Sequence, residues 1–209
     1  FRKKYMSAKG LYVNFSNFKD NTIDKTFSNK PNHSDPTGLY AYKIEYVINY
    51  PSDLRYGNQA SYLRVLQSTS KNPLYLNHLD EQSARYFLGK AGINYYQMEL
   101  AQKKFKFPKN KIPKQFFSCV QHDFNQEGKL RTNQEQADLL IKMGFDSVID
   151  DSKNNTQAII NEWEPEQVIF LTRGSFKIID YFPMSQKEKE TTFSSRTSKE
   201  NLRKILSTV

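Results

Sequence analysis

The apolar positions fall into short alternating runs near both ends of the chain and into helix-spaced stripes between them. GLYVNFSNF over 10–18 predicts a strand of about five residues followed by a polar turn. In SYLRVLQ, over 61–67, Leu63 and Val65 alternate with Tyr62 and Arg64, the pattern of a half-buried strand. Three late segments also read as strands: FDSVID, EQVIFL and KIIDYF, of which EQVIFL is the strongest candidate in the chain. DSKNNTQ reads as a turn and AIINEW as a further strand or its edge, while RGSF turns the chain into KIIDYF.

Helical spacing appears in four places. KIEYVINY sets Ile44, Val47 and Ile48 on one side and stops at Pro51. LDEQSARYFLGKAG opens on Asp80 and Glu81, collects Ala84, Phe87 and Leu88 on one face, and ends at Gly89 or Gly92. YYQMELAQKKF reads as a helix ending ahead of Pro108. From Asn133 to Met143, Ala137, Leu140 and Ile141 form a stripe with Leu139 and Met143 alongside, and Gly144 terminates it. Residues 19–37, with Pro31 and Pro36, are polar and aperiodic and read as a long loop. Residues 185–209 read as a polar tail in which ENLRKIL forms a terminal helix behind a mobile stretch.

Strands at both ends with helices between them predict an α+β fold, with split mixed or antiparallel sheets and flanking helices. Residues 1–184 are expected to make one domain. Hydrophobic residues are only 37% of the 209, and the 13 Tyr and 15 Phe compensate with large apolar rings. No apolar run approaches the length of a membrane span, and the basic start FRKKYMSAKG leads into no apolar segment of a signal peptide. The expected setting is therefore neither membrane-spanning nor secreted through a signal peptide. Because the first residue is Phe1, a cleaved product, a piece of a longer polypeptide, or a chain lacking its first residues is expected.

Chemistry-bearing residues are few. A lone cysteine, Cys119, excludes an internal disulfide, and its place in FFSCV reads as a buried, inert thiol rather than a nucleophile. His33, His78 and His122 are too scattered to mark a metal site, so no metal is expected. There is no GxGxxG and no Walker-type glycine loop, so those two routes to a nucleotide are closed. Asp150 and Asp151 read as turn chemistry at a strand end. The net charge of +9 suits a polyanionic partner, or simply solubility. Its densest run is Lys103, Lys104, Lys106, Lys109, Lys111 and Lys114, interleaved with phenylalanines. Two readings stand for residues 93–117: a nucleic-acid-facing surface, or a solvated linker whose phenylalanines tuck into the core.

Three stretches carry a resemblance. Gly144-Phe145-Asp146-Ser147-Val148-Ile149 followed by Glu166-Gln167-Val168-Ile169-Phe170, the motif Gly38-Leu39-Tyr40-Ala41-Tyr42, and the opening strand Leu11-Tyr12-Val13 are together similar to ADP-ribosyltransferase-like domains, including divergent ones of phage polyproteins and toxins. The resemblance implies NAD as cofactor, Glu166 as the catalytic glutamate and Tyr40 as the ring stacked on nicotinamide. A shift of register by two would move the glutamate role to Glu164. In such chemistry a carboxylate hydrogen-bonded to the ribose stabilises the positive charge that develops as the glycosidic bond breaks. By the same resemblance Tyr12, Asn14, Ser16, Gly38, Tyr40 and Arg64 would bind cofactor. The histidine of the family's first strand is absent, with Val13 and Asn14 in its place, so Asn14 or Ser16 would supply the ribose hydrogen bond. Read from its strand alone, Arg64 suits either a phosphate or a cross-strand ion pair.

Two classes of function follow. One is an NAD-dependent mono-ADP-ribosyltransferase acting on a protein or nucleic acid. The other is a non-catalytic interaction module of a phage virion-associated polyprotein that binds nucleic acid through its basic surface. The expected location is cytoplasmic or in a phage virion. A plain basic nucleic-acid-binding domain of another fold rests on charge and aromatics alone.

Overall fold

A seven-stranded mixed sheet in the order β4-β7-β8-β2-β1-β3-β9 organises the protein. Its strands are β1 (Leu11–Ser16), β2 (Leu39–Lys43), β3 (Tyr62–Ser68), β4 (Pro73–Tyr75), β7 (Ser147–Asp150), β8 (Gln167–Phe170) and β9 (Phe176–Pro183). A separate two-stranded ribbon pairs β5 (His122–Asp123) with β6 (Lys129–Leu130). The structure is a computed structural model that describes residues 10–18, 35–49, 60–109, 111–150 and 167–184. The turn and strand expected over 151–166, and the tail over 185–209 with its terminal helix, lie outside the described residues.

The α+β class and the mixed sheet with flanking helices agree with the sequence pattern. The expected split does not occur among the described strands, because β1 pairs with β2 on one side and β3 on the other and so joins both halves. Every ladder is antiparallel except β4–β7, which is parallel. Parallel neighbours need a long crossover. Here it contains most of the helices: α2 (Glu81–Ala91), α3 (Tyr96–Phe105), α4 (Ile112–Gln121) and α5 (Asn133–Met143); α1 (Ile44–Asn49) precedes β3.

One face of the sheet carries two cores. Leu74, Val148 and Ile169 pack under the α2–α5 layer with Leu88, Met98, Phe116, Phe117 and Leu140. Farther along, Val13, Tyr42, Leu63 and Val65 pack against Ile44 and Val47 of α1. On the opposite face Tyr12, Leu39, Ala41, Val168 and Phe170 form a third cluster, in which the Tyr12 ring stands edge-on to Phe170 at 5.6 Å.

Helix ends follow local chemistry. Asp80 caps α2 by accepting from Ser83 N–H at 2.7 Å, and Gly92 ends that helix in a left-handed turn. Thr132 and Glu135 form a reciprocal capping box at α5, whose bounds match the sequence reading.

Three expectations change. Residues 112–121 are a helix, not a linker: Pro113 sits in its first turn, where a missing N–H costs nothing, and Phe116 and Phe117 are buried by it. Strand β3 is buried on both faces rather than half-buried, since Arg64 and Leu66 are as enclosed as Leu63 and Val65. In α5 the buried stripe is Ala137, Leu140 and Met143, and Ile141 faces outward.

Candidate functional site

Two regions gather the candidate residues. The first lies at the middle of the sheet, where β1 runs between β2 and β3. Asn14 is directly opposite Arg64 in the β1–β3 register, and cross-strand pairs share a face. The Arg64 guanidinium is fully buried and donates from Nε at 2.8 Å and from an Nη at 2.6 Å to Asn14 Oδ1. Asn14 Nδ2 in turn donates to the backbone carbonyl of Tyr40 at 2.6 Å. One amide thus links three adjacent strands. Tyr12 and Ser16 are the i±2 neighbours of Asn14 and point to the same side. Ser16 is buried, and its hydroxyl accepts from Phe18 N–H at 3.0 Å.

Tyr40 points the other way. It pairs with Ile169, and its ring packs against the helix-covered core that holds Ile169. Its hydroxyl donates to the carbonyl of Pro36. Burial raises the Tyr40 phenol well above its usual range, and the charge of Asp35 adds to this. The structure therefore brings Asn14 and Arg64 together and sets the Tyr40 ring on the opposite face of the sheet from them. Glu166 and Glu164 lie outside the described residues.

Gly38 has a packing explanation. A Cβ there would stand 2.4 Å from Ile169 Cγ2 and 2.9 Å from the Phe170 carbonyl oxygen, so β2 approaches β8 at a point where only glycine fits. Gly144 acts as the expected helix stop, with φ +105°. Asp150 is a buried strand residue that accepts from Asn77 Nδ2 at 2.8 Å, which corrects the turn reading for this residue; Asp151 lies outside the described residues. Cys119 is buried, and burial pushes its thiol up to about 12, consistent with an inert thiol.

Asp35 was not singled out by the sequence. Its Oδ1 is a buried oxygen with no hydrogen-bond partner among the described residues, and burial raises its carboxyl to about 7. Its backbone carbonyl accepts from the Asn133 side chain, which docks this segment on the start of α5. The signal lay in HSDPTG, but nothing in those six letters marks the Asp as enclosed.

The second region is the end of α3 and what faces it. Lys103, Lys104, Phe105, Lys106, Lys109 and Lys111 are all exposed, and Lys114 is half-buried. Lys106 closes α3 in the left-handed conformation at φ 55°. Beside it, Phe105 touches three other rings: His122 with centroids 5.0 Å apart, Phe107 at 5.5 Å and Phe124 at 6.2 Å. Buried Gln97 of α3 accepts from Phe124 N–H at 3.3 Å and so fixes the turn after β5 against the helix. Lys104 Nζ donates to the Glu127 carbonyl at 3.1 Å from the same side. Arg131 donates to the Cys119, Val120 and His122 carbonyls at the end of α4, supplying positive charge where the helix dipole is negative. Burial lowers the His122 pKa, with Lys104 and Arg131 acting in the same direction against the Ser118 carbonyl, so at neutral pH its ring is uncharged.

His122 and Phe124 escaped the sequence reading because they join the lysine run only through the β5–β6 ribbon. The ring-charge-ring spacing of His122-Asp123-Phe124 was the available signal. Among the described residues no helix is long and apolar enough to cross a membrane. Searches against protein-family models, curated proteins and solved structures return no match to this chain.

Proposed function

We propose that the protein is a non-catalytic interaction module that contacts nucleic acid through the lysine-rich end of α3 and the segment leading into α4. The supporting observation is the exposure of Lys103, Lys106, Lys109 and Lys111 within nine residues of chain that also hold the partly exposed ring of Phe105. Lysines so arranged displace counterions from phosphates, and the partly open ring offers a base a stacking surface. The resemblance noted in the sequence implies a phage virion-associated polyprotein as the setting. The test is fluorescence anisotropy with a labelled oligonucleotide at rising salt. Affinity is expected to fall steeply between about 50 and 200 mM salt, and to drop when these four lysines become glutamine. Affinity indifferent to salt would remove the phosphate-contacting role.

The second reading is an NAD-dependent mono-ADP-ribosyltransferase acting on protein or nucleic acid. What favours it is the meeting of Asn14 and Arg64, two residues the resemblance implies for the cofactor, from strands 50 positions apart. Against it stand the burial of both side chains and the opposite facing of the Tyr40 ring. Titration with NAD, followed by nicotinamide release from the native chain and Glu166→Ala, decides it. An absence of NAD binding ends this reading.

A further inference from the structure

The four-ring cluster carries more than charge. Phe105 is 36% exposed at the tip of α3, and His122, Phe107 and Phe124 are each half-buried around it. Phe105 contacts all three, and His122 also lies 5.9 Å from Phe124, so the rings form one contiguous aromatic cluster whose planes are inclined to one another by 33° to 79°. The exposed charges next to these rings in the chain and on the ribbon are mostly positive: Lys103, Lys104, Lys106, Lys109 and Lys111 at the end of α3 and beyond it, and Lys129 opposite Asp123, with Lys104 Nζ 6.0 Å from the Phe105 ring. Of the two nearby carboxylates, Asp123 has Arg131 at 3.7 Å, and Glu127 stands on the turn whose carbonyl Lys104 holds. His122 contributes a neutral ring rather than a further cation.

A duplex presents phosphates outward and keeps its bases stacked on one another, so an aromatic cluster adds little to duplex binding. An unpaired strand offers base faces and phosphates together, which is the combination the rings and lysines match. We infer that this surface selects single-stranded nucleic acid, with an unpaired base stacked on Phe105 and the adjoining phosphates held by Lys104, whose ammonium lies 6.0 Å from that ring, and by Lys106 next to it in the chain. The inference rests on the nucleic-acid reading above and specifies its substrate.

The experiment compares three ligands of equal length on the full chain: a 20-nucleotide oligothymidylate, a 20-base-pair duplex, and a 20-unit abasic deoxyribose-phosphate strand. The abasic strand retains the phosphates and removes the bases. The thymidylate is expected to bind about tenfold more tightly than either of the others. Phe105→Ala is expected to remove that advantage while leaving abasic-strand binding unchanged, and Phe105→Trp to restore it. Equal binding of all three ligands, insensitive to Phe105→Ala, overturns the stacking inference and leaves the charge-based reading standing. No binding of any of them, or binding only to phosphatidylserine vesicles, overturns both. Should Phe105→Ala unfold the chain, Phe105→Trp decides alone. Quenching of the added indole by the thymidylate but not by the abasic strand supports stacking, and unchanged emission refutes it.

Discussion

Asn14 Oδ1 receives two N–H groups of the fully buried Arg64, at 2.8 and 2.6 Å, while its Nδ2 holds the Tyr40 carbonyl. Buried guanidinium N–H groups that lose the oxygen they donate to are costly, because their desolvation is no longer offset there. Asn14→Ala is therefore expected to lower folding stability by about 2–4 kcal/mol, read from urea unfolding. A loss below about 0.5 kcal/mol would mean that Asn14 is not an important anchor of this cation.

Gly38→Ala separates packing from ligand binding. Its Cβ would meet Ile169 Cγ2 and the Phe170 carbonyl oxygen at distances no real contact tolerates. Overpacking against a neighbouring strand is expected to cost about 2–3 kcal/mol, seen as a lowered Tm. Full retention of stability would require β2 and β8 to part there without penalty.

Asp35 predicts a pH dependence of stability. Its carboxyl ordinarily titrates near 3.8 and is raised to about 7 by burial in the folded chain. Between those values the folded state keeps a proton that the unfolded state has released, so stability declines as pH rises from about 4 to about 7. Below that window the contribution is fully present. Asp35→Asn, which cannot ionise, is expected to flatten this decline and to exceed the native chain in stability at about pH 8. Parallel stability curves for the two proteins across the window would refute the assignment.

Lys106 sets local stability against binding. It occupies the left-handed region at φ 55°, where glycine is the unstrained choice. Lys106→Gly is expected to stabilise the fold by about 1 kcal/mol, since the left-handed strain is relieved. On the single-strand reading proposed above, the same change would remove one phosphate contact, and the salt dependence of binding is expected to fall by about 0.7 in its log-log slope. A more stable variant with an unaltered slope would place Lys106 outside the contact surface.

Sequence periodicity located α5 to the residue and most of the long sheet's strands, because each presents several apolar positions in one register. It did not mark β2 as a strand, and it missed β4, whose three residues become a strand only by pairing in parallel with Ser147–Ile149, about 75 positions away. It missed α4, which starts between Pro108 and Pro113, because a proline fits the first turn of a helix as well as it fits a loop. For the candidate sites the residue types were legible and the facing was not. Tyr40 and Asn14 belong to adjacent strands, and the register of β1 on β2, which pairs Val13 with Tyr42, reveals that their side chains diverge. The lysine run was visible outright, whereas the ring cluster beside it needed a ribbon of two-residue strands that no periodicity can signal.

The parallel pairing of β4 with β7 has a mechanical consequence. Everything from Pro73 to Asp150, including the helix tip that carries Phe105, is one uninterrupted stretch of chain attached at the end of the sheet. It meets the antiparallel remainder along the four residue pairs of the β7–β8 ladder, in the core where Tyr40, Ile169 and Leu171 lie beneath its helices, and at the start of α5, where Asn133 holds the segment of Asp35 and Thr37. A force applied at the helix tip would therefore be shared among that ladder, the helix-covered core and the Asn133 contacts, rather than carried by one pair of strands.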